Sequence, residues 1–154
     1  MIVDLTIDHA LHVCRTMDEV WLAERKAQIE AWDPVAHAIS MVQTPGVAYS
    51  VIARDGLPVI VGGVHIVRAG LGTTWMAGVP GWRECVIEVA RVSRKVIKAL
   101  LDNGGLHRIQ MTTGADSEGA RRWCELLGLR LESRLVGFGL HGEDFLMYAA
   151  TRRI

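Results

Sequence analysis

Two apolar segments, residues 47–53 and 59–67, flank the dipeptide Asp55-Gly56. Both segments are rich in Val and Ile, which suit a strand, and Asp-Gly suits a turn in which glycine takes a positive φ. The sequence therefore predicts a β-hairpin here. Whatever else the chain forms, its sheet must contain an antiparallel pair of strands.

A long amphipathic helix is predicted farther along the chain. Between residues 86 and 101, apolar side chains recur at helical spacing while most charged side chains lie elsewhere on the circumference. Asn103-Gly104-Gly105 ends this helix, because glycine accepts the left-handed conformation common at helix ends. Short strands at residues 73–77 and 106–112 flank it, which is typical of a crossover connection.

Capping residues and turn residues predict the other elements. Asp8, the pair Thr16 and Glu19, and Asp33-Pro34 have the pattern of helix starts. The further strands are predicted at residues 2–7, 130–138 and 145–150, and the further helices at residues 8–15, 16–29, 33–43 and from Asp116 or Ser117 to Gly128. The order β-α-α-α-β-β-β-α-β-α-β-β predicts an α/β sheet of mixed direction, neither a Rossmann fold nor a barrel.

The chain is expected to form one domain, residues 1–154. No internal repeat, charge block or Ser/Pro-rich linker divides its 154 residues, and this length is typical of a single domain. A domain of this size buries roughly 70% of the surface of its unfolded chain, so its core needs neither a metal nor a disulfide.

Charge and hydropathy exclude several classes of partner. The chain has 17 Lys and Arg against 17 Asp and Glu, whereas nonspecific nucleic-acid binding needs a clustered cationic excess. No apolar run approaches the ~20 residues that span a bilayer, and Asp4 and Asp8 stand where a signal peptide is basic. The sequence predicts a cytoplasmic protein that binds neither nucleic acid nor membrane.

Cysteine and histidine spacing predicts no disulfide and no metal. Cys14, Cys85 and Cys124 are odd in number and widely spaced, which favours reduced, largely buried thiols. The six histidines form no H-E-x-x-H pattern. His65 and His107 are candidate bases, and Cys85 a candidate nucleophile, but their surroundings in the sequence favour packing roles.

The element order and one local segment resemble the GNAT acyltransferase family. Residues 116–129 are similar to its late segment, an Asn followed by a helix and then Gly-Phe. The pattern Arg122-Trp123-x-x-x-Leu127-Gly128 and the segment Met17-Asp18-Glu19-Val20-Trp21 resemble GNAT-like proteins encoded by tailed bacteriophages. The resemblance implies a mixed, mostly antiparallel sheet flanked by helices.

The resemblance also implies acetyl coenzyme A as cofactor. In the family, the pantetheine pairs with fourth-strand backbone and the pyrophosphate lies on amides at the start of the next helix, where the helix dipole favours an anion. The strand maps here to residues 73–77 and the helix opening to residues 78–83, where Arg83 adds a cation. The implied cofactor contacts are Met76, Ala77, Gly78, Gly81, Trp82 and Arg83.

Two departures from the family pattern affect this site. The loop that would hold phosphate is short, contains Pro80 without an amide hydrogen, and has Trp82 where the family has a small residue. The family's tyrosine acid is also missing, because its neighbourhood offers Trp123, whose indole is no acid near neutral pH. Tyr148 or Tyr49 are the alternatives.

The sequence therefore leaves two functions open. One is an acetyl-coenzyme-A-dependent acyltransferase acting on an amine of a small molecule or protein. The other is a catalytically degenerate GNAT-like protein of a phage virion, or one that interacts with a host, with partners in the phage particle. The altered phosphate loop is the feature that separates them.

Overall fold

The computed structural model describes residues 1–152. In chain order its elements are β1 (Ile2–Asp4), α1 (Ile7–Arg15), α2 (Glu19–Lys26), α3 (Pro34–Gln43), β2 (Gly46–Ile52), β3 (Pro58–Arg68), β4 (Leu71–Gly78), a 3-10 turn (Trp82–Cys85), α4 (Val86–Asp102), β5 (Arg108–Gly114), α5 (Glu118–Leu126), β6 (Arg130–Leu135) and β7 (Phe145–Thr151). The predicted order of helices and strands is confirmed.

The strands form one seven-stranded sheet in the order β1-β2-β3-β4-β5-β7-β6. All neighbouring strands are antiparallel except β4 and β5, which are parallel. The helix α4 connects these two strands, as a parallel pair requires a crossover. The predicted mixed, mostly antiparallel α/β sheet flanked by helices is confirmed.

The predicted hairpin joins β2 and β3. Gly56 has φ of 84°, and the Asp55 carboxylate accepts the Leu57 amide at 2.9 Å. The loop spans residues 53–57 rather than the two residues of the tightest hairpins. The dipeptide therefore sets the turn conformation, and neighbouring residues lengthen the turn.

Two helix starts differ from those predicted. Thr6, not Asp8, caps α1, its side chain accepting the His9 amide. Asp18, not Thr16, caps α2. The reason is that the Thr16 hydroxyl donates to the His12 carbonyl at 2.7 Å and so closes the preceding helix.

Helices cover both faces of the sheet. Adjacent residues of a strand point to opposite faces, and in β2 the Ser50 hydroxyl lies 2.9 Å from Nδ1 of His9 in α1, whereas Tyr49 is hydrogen-bonded to Ser93 in α4. We call these the α1 face and the α4 face. No helix within residues 1–152 has the length and apolar character that crossing a bilayer requires.

Candidate functional site

The sheet opens between its two parallel strands. β4 and β5 pair only through Leu71–Thr73 and Arg108–Gln110, although β4 continues to Gly78 and β5 to Gly114. The rest of each strand therefore diverges from the other. We call the opening the β4–β5 gap.

Helix α2 bridges this gap by contacts with both strands. Nη2 of Arg25 donates to the Met76 carbonyl of β4 at 2.6 Å. The carboxylate of Glu24, the preceding residue, accepts the Gly114 amide of β5 at 3.1 Å. At the start of α2, the Asp18 amide donates to the Gly78 carbonyl at 2.8 Å.

These contacts show which way the backbone of β4 points. In a strand, the N–H and C=O of one residue point to the same side. The Val79 amide bonds to the Val59 carbonyl of β3, whereas the Gly78 and Met76 carbonyls bond to residues of the α2 segment. Because successive residues of a strand alternate in direction, the Met76 amide points with its carbonyl into the β4–β5 gap. An amide at this place is a hydrogen-bond donor available to a carbonyl oxygen lying in the gap.

A cavity of about 270 Å³ lies where the gap meets α2 and α3. Its lining residues are Glu24, Arg25, Gln28, Ile29, His37, Ser40, Met41, His65, Thr73, Thr74, Trp75, Met76, Met111 and Thr112. Four of these carry titratable or charged groups, namely Glu24, Arg25, His37 and His65. The strands and helices of the α1 face thus enclose a polar space beside the Met76 backbone.

Of these four residues, Arg25 is a cation, and His37 and His65 are neutral imidazoles. The Arg25 side chain is half-buried in the cavity wall. Burial lowers the pKa of Arg25, while nearby Glu24 raises it, and the guanidinium stays charged. Burial lowers the pKa of His37 to about 4, helped by the nearby Arg25 charge and by the proximity of His65, since two protonated imidazoles would repel each other. Burial also lowers the pKa of His65, an effect that the nearby Met41 backbone opposes.

Aromatic rings hold both histidines in place. The His65 ring lies 4.8 Å from the Trp75 ring, and the His37 ring 5.0 Å from that of Trp32. Nε2 of His65 is buried and has no hydrogen-bond partner within residues 1–152. The structure thus gives His65 both a packing contact and a place in the cavity wall. The His107 ring packs over Gly70 and does not line this cavity.

The residues of the implied cofactor site are dispersed around the end of β4. Met76, Ala77 and Gly78 lie on β4 and are buried, Trp82 is 9% exposed, and Gly81 and Arg83 are exposed. A role of these six residues in binding acetyl coenzyme A stays a prediction.

Trp82 belongs to the core rather than to an open loop. Its ring packs edge-on against Trp21 at 5.3 Å, and a Cβ at Gly78 would lie 2.8 Å from the Trp82 Cβ. The Arg83 guanidinium lies 4.9 Å from the centre of the Trp82 ring. The absence of a side chain at Gly78 therefore leaves room for the Trp82 indole, and the Arg83 guanidinium stacks on that ring.

The start of α4 is partly closed to an anion. Gly81 has φ of 96°, and the following 3-10 turn uses the amides of residues 82, 84 and 86 in hydrogen bonds to residues 79, 81 and 83. Glu84 and Glu88 add negative charge. Fewer free amides remain here than an unencumbered helix start offers.

The alternative acid residues lie away from the cavity wall. Tyr49 is hydrogen-bonded to Ser93, and burial raises its pKa. Burial also raises the pKa of Tyr148 on β7. Neither residue lines the cavity, and Trp123, at 4% exposed, packs in the core.

The three cysteines are free thiols. Cys14 and Cys124 are buried, and burial raises their pKa values to about 11 and about 12. Cys85 is half-buried beside the start of α4. Residues 1–152 hold no group of three or more His, Cys, Asp or Glu side chains placed to bind one metal ion.

Reasoning from the sequence missed Glu24, Arg25 and His37. Glu24 and Arg25 lie in an ordinary charged helix segment, and nothing in its spacing indicates that the helix crosses a gap in a sheet. His37 falls on the apolar helix α3, where an isolated histidine is the one available signal.

Together, the β4–β5 gap, the flanking helices and the strand order give the chain the fold of GNAT acetyltransferases. Solved structures of this class match nearly its whole length. A GNAT-family acetyltransferase from Bacillus anthracis matches with a TM-score of 0.72 and 16% identity, over 98% of this chain and 93% of that one.

Two further structures show the same likeness. A spermidine N-acetyltransferase from Vibrio cholerae matches with a TM-score of 0.72 and 9% identity, over 99% of this chain and 93% of that one. A protein described as a putative phosphinothricin N-acetyltransferase matches with a TM-score of 0.77 and 7% identity, over 100% of this chain and 99% of that one. At these identities the likeness establishes the fold. No family model matches the chain, and no curated protein matches it in sequence.

Proposed function

We propose that this protein is an acyltransferase that moves the acetyl group of acetyl coenzyme A to an amine. The observation that carries the proposal is the β4–β5 gap, into which the Met76 backbone points beside a polar cavity. A thioester in the gap and an amine in the cavity would meet at Met76. Holding two reactants in this way supplies much of the acceleration of such a reaction.

The residues of the chain have distinct roles in this proposal. Acetyl coenzyme A supplies the acyl group as a thioester. The Met76 amide donates a hydrogen bond to the acyl oxygen, which gains negative charge as the amine attacks. Neutral His37 and His65 keep the cavity free of further positive charge that would repel an amine. The coenzyme contacts are the six residues at the end of β4 named above, with Arg83 facing a phosphate.

The experiment is an assay of thiol release from acetyl coenzyme A with a panel of amines, run beside a calorimetric titration with acetyl coenzyme A and coenzyme A. The expected result is saturable binding of both and thiol release that depends on one class of amine. Binding without release by any amine contradicts the proposed reaction. Absence of both contradicts the proposed cofactor.

The partly closed start of α4 favours a second function, a binding protein without catalysis. The amides bonded within the 3-10 turn, together with Glu84 and Glu88, oppose a pyrophosphate there. In this case the cavity would be vestigial or hold a partner. A phage particle as setting, a cytoplasmic location and a protein acceptor rest on the sequence alone.

A further inference from the structure

The Arg25 side chain is a cation of the cavity wall that forms no ion pair within residues 1–152, although Glu24 lies near enough to raise its pKa. Nη2 donates to the Met76 carbonyl, and this is its single hydrogen bond within residues 1–152. No carboxylate oxygen in that part of the chain lies within 4.0 Å of its nitrogens. A guanidinium has five N–H donors, so most of its donors are free, and its side chain lines the cavity.

A carboxylate lies on the same helix but serves the other strand. Glu24 is held by the Gly114 amide of β5, whereas Arg25 is held by Met76 of β4. The two side chains line one cavity and form no ion pair with each other within 4.0 Å. The cavity therefore has a positive site and a negative site, separated across the β4–β5 gap.

We propose that the acceptor is a small amine that also carries a carboxylate, bound through that carboxylate by Arg25 and through its ammonium group by Glu24. This rests on the proposed function and names its substrate class. Arg25 matches a carboxylate because its planar fork can donate two parallel hydrogen bonds. A polycationic amine is disfavoured, because its second ammonium group would face Arg25 without a compensating anion.

The remaining cavity wall suits the rest of such a molecule. Gln28, Ser40 and Thr112 offer polar contacts, and Met41 and Met111 an apolar surface. The volume of about 270 Å³ fits a molecule the size of an amino acid, not an extended peptide. Glu24 would hold the ammonium group on the β5 side of the gap, opposite the Met76 amide.

The transfer balances with these groups. The ammonium group loses one proton to water and becomes a neutral amine. Its nitrogen then forms a bond to the acyl carbon, the carbon–sulfur bond breaks, and the sulfur leaves as a thiolate. The second amine proton passes to Glu24. Arg25 takes no part in bond changes and acts as the residue that positions the acceptor.

The test compares each L-amino acid with its own α-amide, which keeps the amine and removes the carboxylate charge. Thiol release from acetyl coenzyme A gives kcat/KM for each pair. We expect at least one amino acid to exceed its amide by tenfold or more, with the difference mainly in KM. Equal or better rates with the amides, or transfer to polycationic amines or proteins alone, overturn the proposal.

Variants assign the preference to Arg25. Arg25→Gln should reduce the ratio of kcat/KM for the amino acid to kcat/KM for its amide to near one, and Arg25→Lys should retain part of this preference. The control is Lys26→Gln, which removes an exposed cation of the same helix and should keep the full preference. A preference that survives Arg25→Gln in a folded protein overturns the role of Arg25. If Arg25→Gln does not fold, the proposal is tested by Arg25→Lys and by the rates of the wild-type protein with each amino acid and its amide.

A binding measurement separates this inference from the proposed function. Calorimetric titration of the same amino acids and amides, with and without coenzyme A, reports the acceptor site without any reaction. Carboxylate-dependent binding without transfer would contradict the acyltransferase proposal and uphold the site. Transfer to amines with no effect of the carboxylate in either assay would uphold the enzyme and contradict the site.

Discussion

Single side chains in the β4–β5 gap are held by contacts from distant parts of the chain. Glu24 and Arg25 are neighbours in sequence, yet they bond to strands whose contacted residues are 90 and 51 positions away. Their chemistry in the cavity depends on this separation, because paired with each other they would neutralise one another.

Removing the Arg83 charge should weaken coenzyme binding. Arg83 is exposed beside the start of α4 and stacks on Trp82, where a phosphate of the proposed cofactor would lie. Arg83→Ala should cost about 1–3 kcal/mol of binding free energy, the usual value of a charge-assisted hydrogen bond. Titration calorimetry measures this loss, with Arg91→Ala, an exposed residue of α4, as the control. Equal affinity of the two variants for the coenzyme would show that Arg83 does not bind its phosphate.

The neutral state of His37 should make stability depend on pH. Its pKa is about 4 in the folded protein and about 6.5 in an unfolded chain. Between these values the unfolded state binds more protons, so stability falls as pH decreases from 6.5 to 4. The full shift is worth about 3 kcal/mol, and partial exposure reduces this to about 1–2 kcal/mol.

Urea denaturation at several pH values measures this effect. His37→Gln should lose that part of the pH dependence, whereas the exposed His141→Gln should keep it. Identical pH profiles for the wild type and His37→Gln would show that His37 is not held neutral by the fold.

At the scale of elements, local sequence patterns set the helices and strands, and tertiary contacts set their ends. Asp33-Pro34 gave the start of α3 correctly because the Asp33 carboxylate bonds amides two and three residues later. The start of α2 was wrong, because Thr16 bonds back into α1 and Asp18 is anchored to Gly78. Such an anchor joins residues 60 positions apart and leaves no local signal.

The junction of β4 with the 3-10 turn depends on the absence of a side chain at Gly78. A Cβ there would lie 2.8 Å and 2.9 Å from two Trp82 atoms, so Gly78→Ala must displace the indole. We expect a loss of about 1–3 kcal/mol of unfolding free energy, as for other overpacked sites. Gly114→Ala, across the gap with nothing within 4 Å of its Cβ, is the matched control for chemical denaturation. A loss as large in Gly114→Ala would assign the effect to strand backbone, not to Trp82.

For the whole molecule, the sheet was predictable and the cavity was not. The hairpin, the crossover helix and the order of elements along the chain follow from turn residues and hydrophobic periodicity, which act over a few residues. The mostly antiparallel sheet followed from the resemblance to the GNAT family. The β4–β5 gap begins where the backbone pairing between β4 and β5 ends, after Thr73 and Gln110. No residue in either strand indicates that the pairing ends there. The cavity charges come from α2, whose position over the gap results from the complete packing.

Stability of the whole domain offers a test that needs no knowledge of the acceptor. A ligand that binds only the folded state at 100 times its dissociation constant adds about 2.7 kcal/mol to the unfolding free energy. If the gap and the start of α4 accept the cofactor, millimolar acetyl coenzyme A should raise the midpoint of thermal unfolding. Because α2 bridges both strands of the gap, bound cofactor should stabilise the domain as one unit.

The control for that measurement is desulfo-coenzyme A, which keeps the phosphates and lacks the sulfur and the acyl group. A shift with both compounds, reduced in Arg83→Ala, would indicate binding through the start of α4. No shift with either at millimolar concentration would mean that the bonded amides, Glu84 and Glu88 exclude the pyrophosphate. The binding protein without catalysis would then be the better account of this fold, since an acyltransferase cannot work without access to its acyl donor.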